Sequence, residues 1–102
     1  MSRPDGIEMA PEHLALVVGI LAAHLPQGST VWVFGSRAAG RARPYSDLDL
    51  AVDAGRTLSL DERASLAEAF SDSDLPYKVD LVDWHTVDDR FRQLIAAERV
   101  QL

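Results

Sequence analysis

The chain has 102 residues, of which 47% are hydrophobic and 25% charged, a balance typical of one small globular domain and not of a disordered chain. Its formal net charge of −6 disfavours broad, non-specific binding to the phosphate backbone of a nucleic acid. The absence of cysteine excludes disulfides and thiolate metal sites, and no run approaches the roughly 18 apolar residues of a membrane span. We therefore expect a cytoplasmic protein with no direct contact to membrane or nucleic acid.

The first half of the chain predicts an arm, a helix and a strand. Residues 1–11 are polar and contain two prolines, which predicts a flexible arm ahead of a single domain over residues 12–102. From Glu12 to Leu25 apolar side chains recur at three- and four-residue steps, which predicts an amphipathic helix. The β-branched and aromatic segment Thr30–Phe34 is typical of a buried strand. One short helical turn is expected after it, over 37–40.

The second half continues the alternation of strand and helix. Side chains from Asp47 to Asp53 alternate in direction, which predicts a second strand. Ser59, with a glutamate three residues later, resembles a capping box, and Thr86 is the expected cap of the last helix. Helices are predicted over 60–70 and 87–98, and the third strand is predicted between them, over 78–82. This order predicts an α+β fold, a small mixed β-sheet with helices packed on it.

Three features of this pattern point to phosphate and metal chemistry. Gly35 permits a sharp turn and the close approach of a phosphate to the main chain, and Ser36 adds a hydroxyl. Asp47 and Asp49 point the same way from an extended strand, and a divalent cation such as Mg²⁺ relieves the repulsion between their carboxylates. If the third strand is a neighbour of the second, Asp80 joins them, an arrangement that suits two metal ions about 3.5–4 Å apart.

Each of these features also has a purely structural explanation. Gly-Ser is a common turn, an Asp-x-Asp pair can be solvated at the start of a strand, and Asp80 can lie on a sheet edge. The basic loop that follows Ser36 is open to two interpretations in the same way. Arg37 is its best candidate for a phosphate contact, and the alternative is a solvated loop that offsets nearby acids. The order of strand, Gly-Ser turn, Asp-x-Asp pair and third aspartate, taken together, favours a functional site over these structural explanations.

The segment from Phe34 to Val52 resembles the signature of the polymerase-β-like nucleotidyltransferase superfamily. In that signature Gly-Ser, ten intervening residues and Asp-x-Asp follow one another, and this sequence matches it without a gap. More narrowly, the chain resembles the minimal nucleotidyltransferase (MNT) antitoxins of prokaryotes. Asp80, within Lys-Val-Asp-Leu-Val, matches the third aspartate of the family, and the similarity covers about residues 12–100.

The resemblance implies a nucleotidyltransferase fold and a Mg²⁺-dependent enzyme. Asp47 and Asp49 would bind two Mg²⁺ ions, and Asp80 would complete the site and orient or deprotonate an acceptor hydroxyl. Gly35 and Ser36 would hold the triphosphate of ATP. The reaction implied is transfer of AMP from ATP to a tyrosine of a partner HEPN-family ribonuclease toxin. The chain would form a complex with that toxin as the antitoxin of a type VII-like pair.

Two other functions stay open at this point. An antitoxin of this kind can neutralise its toxin by binding alone, with inactive aspartates. A stand-alone enzyme acting on a small molecule needs an acceptor pocket, and only about twenty residues follow the third predicted strand. The apolar residues of the last helix pack on the sheet or form a docking surface, and the sequence does not separate these two interpretations.

Overall fold

The computed structural model describes residues 6–102 and has the predicted α+β architecture. Helices and strands alternate along the chain, and a single 3-10 turn, Gly35–Arg37, follows the first strand in the described part of the chain. The elements are α1 (Pro11–His24), β1 (Thr30–Phe34), β2 (Leu48–Asp53), α2 (Leu60–Ser71), β3 (Val79–Asp83), α3 (Asp89–Glu98) and β4 (Val100–Gln101).

The four strands form one mixed sheet in the order β3-β2-β1-β4. The pair β2–β3 is parallel, and β1 is antiparallel to both β2 and β4. A parallel pair requires a crossover connection, and α2 supplies it between β2 and β3. The short strand β4 was not predicted, because a strand of two residues has no periodicity to detect.

The two faces of the sheet are covered differently. On one face, alternate strand residues such as Val33 and Leu50 join Leu14 of α1 and Leu66 of α2 in the hydrophobic core. On the other face, α3 contacts the sheet through an edge-to-face ring pair, and its residue Ile95 is buried, at 1% exposed. This contact joins Phe34 and Phe91, with ring centroids 6.0 Å apart. The face that carries the aspartates is therefore covered by a single short helix.

The helix ends follow local capping rules, with one correction. Ser59 and Glu62 form the predicted capping box at the start of α2. The cap of α3 is Asp88, whose carboxylate accepts the N–H of Phe91 at 2.8 Å. The prediction of Thr86 as this cap was wrong, because its hydroxyl donates instead to the carbonyl of Asp83 at the end of β3. The helical turn after β1 also starts two residues earlier than predicted.

Part of the predicted N-terminal arm is packed into the domain. Residues 1–5 lie outside the described part of the chain. Beyond them, Ile7 and Met9 are 1% and 3% exposed and belong to the core. The N–H of Glu8 donates to the carbonyl of Arg37 at 2.8 Å, and α1 begins at Pro11. Within residues 6–102, none of the helices has the length and apolar character needed to cross a bilayer.

Candidate functional site

The sheet order brings the predicted aspartates to the same place. In the parallel pair β2–β3, Asp49 lies directly opposite Asp80, and neighbouring residues in register project from the same face of a sheet. Asp47 is two residues from Asp49 and lies just ahead of β2. The predicted neighbourhood of the two strands is therefore confirmed, and Asp80 is on the same face as Asp49.

These carboxylates form a negative cluster with little compensating positive charge. Burial, and then the negative charges of Asp80, Asp47 and Glu98, raise the pKa of Asp49 above its ordinary value. Lys78 forms an ion pair with Asp80, with 3.5 Å between Nζ and Oδ1, but both side chains are exposed and such pairs contribute little. Hard oxygen donors with unmet negative charge are the chemistry that Mg²⁺ prefers.

The carboxylates are near one another without yet enclosing an ion. Among residues 6–102, no three histidine, cysteine, aspartate or glutamate side chains are placed closely enough to hold a metal as they stand. Asp47 is exposed, and 41% of the Asp80 side chain is exposed, so both side chains have room to rotate. The residues fit a divalent cation by their chemistry and position, and binding would draw them together.

The turn after β1 packs directly on this cluster. Gly35 has a φ of +76°, a backbone conformation that glycine adopts far more readily than other residues. A Cβ atom at this position would lie 3.2 Å from the carboxyl carbon of Asp49 and closer still to its Oδ2. Both the conformation and the contact therefore require glycine. Ser36 is the next residue of the same turn.

The main-chain N–H of Gly35 donates a hydrogen bond to a side chain in the structure. It donates to Oε1 of Glu98 at 3.2 Å, a contact between residues 63 positions apart in the chain. Glu98 is the last residue of α3 and brings a fourth carboxylate to the site. Our sequence analysis missed it. The one local signal was an acidic residue at the C-terminal end of a helix, where the helix dipole disfavours negative charge.

Arg37 has a different role from the predicted phosphate contact. It is 5% exposed, and its guanidinium donates to the carbonyl oxygens of Glu8 at 2.8 Å, Pro44 at 3.2 Å and Ser46 at 2.9 Å. It also stacks on Tyr77, with Cζ 3.8 Å from the ring centroid. These contacts commit the Arg37 guanidinium to the loop that leads to Asp47.

The fold and the site together define a nucleotidyltransferase domain. The family model described as "Polymerase beta, Nucleotidyltransferase" matches residues 20–102. The chain belongs to this family, which confirms the family and the fold predicted from the sequence. Within the family it is a minimal nucleotidyltransferase-domain protein. It is 48% identical over 89 residues to the probable protein adenylyltransferase MntA of Haemophilus influenzae, covering 87% of this chain and 77% of that protein.

Solved structures show the same fold. One is a crystal structure of a toxin–antitoxin pair with AMP-PNP, which is 30% identical with a TM-score of 0.74 and aligns 85% of this chain with 69% of the other. Another contains a tri-AMPylated HEPN toxin from Shewanella oneidensis in complex with an MNT antitoxin. That match is 29% identical with a TM-score of 0.67, over 88% of this chain and 70% of the other.

Proposed function

We propose that this protein is an antitoxin that transfers AMP from ATP to a tyrosine hydroxyl of a partner HEPN toxin and thereby neutralises it. The observation that carries the proposal is the register of the parallel strands, which sets Asp49 opposite Asp80, close to Asp47 and against the Gly35 turn. The similarity to a probable protein adenylyltransferase and to complexes of MNT antitoxins with HEPN toxins supports the same conclusion. The partner toxin and the transferred AMP come from those relatives, and the tyrosine acceptor comes from the family resemblance.

In the proposed reaction, Asp47, Asp49 and Asp80 would hold Mg²⁺ together with the phosphates of ATP. When bound, Mg²⁺ supplies the positive charge that allows a triphosphate to enter a site lined by carboxylates. The Gly35 N–H and the Ser36 hydroxyl bind phosphate oxygens at the turn. Asp80 accepts the proton of the tyrosine hydroxyl as the tyrosine oxygen bonds to the α-phosphorus of ATP. The bond between the α- and β-phosphates breaks, and pyrophosphate leaves.

The test is transfer of label from ATP to the co-purified toxin. With Asp47→Asn and Asp49→Asn combined, we expect α-phosphate label on the toxin to fall to background, because amides are poor Mg²⁺ ligands. Asp74→Asn is the matched control, since Asp74 is an exposed aspartate between α2 and β3. Full labelling by the double variant, or transfer of γ-phosphate label, would refute the proposal. A toxin whose acceptor tyrosine is changed to phenylalanine should not be labelled by the wild-type protein.

Neutralisation by binding alone is the competing function. It is favoured by one observation, that the carboxylates do not yet enclose a metal position in the described part of the chain. A variant with all three aspartates changed to asparagine separates the two functions in cells that express the toxin. If growth is rescued by this variant as well as by the wild type, binding alone is sufficient. If rescue is lost while the complex still forms, transfer is required.

A further inference from the structure

Glu98 occupies an electrostatically unfavourable position. It ends α3, where the helix dipole disfavours negative charge, and the last turn of α3 has no basic residue to offset it. None of the ion pairs formed among residues 6–102 includes it. The adjacent Arg99 stacks instead on Trp32, with its Cζ 4.3 Å from the ring centroid. Glu98 thus has no cation to stabilise its charge in the described structure.

The surroundings of Glu98 make this placement more costly. Its charge is one of those that raise the pKa of Asp49, so it adds to the repulsion within the aspartate cluster. Its one hydrogen bond in the described chain is the one it accepts from the Gly35 N–H. A residue that breaks local electrostatic preference at a site without a compensating gain in stability is expected to serve function.

We propose that Glu98 is a specificity-determining residue that reserves the Gly35 N–H for phosphate paired with a divalent cation. This inference rests on the nucleotide-binding role proposed above. A phosphate oxygen that binds the Gly35 N–H must displace the carboxylate of Glu98, because two anions do not share one donor favourably. A free triphosphate meets four carboxylates at this point and is rejected. A triphosphate that carries Mg²⁺ brings the positive charge that the displaced carboxylate needs.

The measurement is the equilibrium binding of AMP-PNP to the purified chain by calorimetry, once with Mg²⁺ and once with EDTA. The variant is Glu98→Gln, which keeps the side-chain shape and removes the charge. The matched control is Glu68→Gln, because Glu68 is an exposed carboxylate of α2, on the opposite side of the sheet from α3. Circular dichroism and the melting temperature confirm that each variant is folded.

For Glu98→Gln we expect metal-free AMP-PNP to bind about tenfold tighter, since hydrogen bonds to charged groups are worth about that much in affinity. Affinity in Mg²⁺ should change less than about threefold, so the preference for the metal complex falls by about tenfold. Glu68→Gln should leave both affinities unchanged. The result is therefore a change in a ratio of affinities, which loss of folded protein does not mimic.

Three outcomes overturn the inference in distinguishable ways. If Glu98→Gln weakens binding in Mg²⁺ as strongly as Asp49→Asn does, Glu98 is a metal ligand and not a competitor of phosphate. If both affinities match the wild type, the contact only anchors the end of α3. If the folded wild-type protein itself shows no Mg²⁺-dependent binding, the proposed nucleotidyltransferase function fails as well.

Discussion

Substitution of Gly35 by alanine tests the packing of the turn on the aspartate cluster. The new Cβ has two effects, the cost of a left-handed backbone conformation and the overlap with the Asp49 carboxyl group. Gly55→Ala isolates the first effect, because Gly55 has a φ of +78° against +76° for Gly35 and no atom within 4 Å of its Cβ position. The difference between the two variants therefore measures the contact with Asp49.

The magnitudes follow from these two effects. A left-handed conformation costs an alanine about 1–2 kcal/mol, so Gly55→Ala should lower the melting temperature by about 4–16 °C. In Gly35→Ala the side chain of Asp49 must also rotate away, and overpacking of this kind adds about 1–3 kcal/mol. We expect Gly35→Ala to melt at least about 4 °C below Gly55→Ala.

The functional effect should separate the variants more clearly than stability does. Displacement of Asp49 moves a predicted metal ligand, so Gly35→Ala should lose most Mg²⁺-dependent AMP-PNP binding, while Gly55→Ala keeps it. The assays are thermal unfolding by circular dichroism and calorimetry at a temperature where both variants are folded. Equal melting temperatures and equal nucleotide affinities in the two variants would show that Gly35 does not pack on Asp49 or that this turn is not part of the site.

Three further predictions concern charge and hydrogen bonding. Asp49→Asn should abolish AMP transfer yet stabilise the fold by about 0.2–1 kcal/mol at neutral pH, because it removes the like-charge pair of Asp49 and Asp80 across two strands. Since the pKa of Asp49 is raised in the folded protein, this gain in the free energy of urea unfolding should disappear at acid pH. A loss of stability at neutral pH would contradict the prediction. Arg37→Lys should cost about 2–4 kcal/mol in urea unfolding, because an ammonium cannot satisfy the loop carbonyls that the guanidinium binds, and an unchanged midpoint would argue against that role. The hydrogen bonds from Arg56 and from the main chain of Ser59 lower the pKa of Glu62 from its ordinary 4.5 to about 2, so the stability that Glu62 contributes is complete above pH 4.5 and is lost as the pH falls toward 2. Glu62→Gln should flatten this part of the melting temperature profile, and parallel acid profiles for the variant and the wild type would refute it.

The sequence was sufficient wherever the controlling interactions are local. The strand Thr30–Phe34 was predicted with its observed bounds, because β-branched and aromatic side chains favour an extended, buried backbone. The capping box of α2 was predicted because both of its hydrogen bonds join residues three positions apart. The two-residue separation of Asp47 and Asp49 keeps the Asp47 charge near enough to raise the pKa of Asp49, and Gly35 follows from the turn that must end β1.

The tertiary structure decided everything that joins residues distant in the chain. The sequence left the neighbourhood of β2 and β3 as an assumption, and their parallel register supplies the position of Asp80 opposite Asp49. The contact between Glu98 and Gly35 spans 63 positions, and no local pattern encodes it. Arg37 next to Ser36 suggested a phosphate ligand, but burial directs its guanidinium to the loop carbonyls. Periodicity and capping act within a few residues, whereas strand order and burial depend on how the whole chain excludes water from its core.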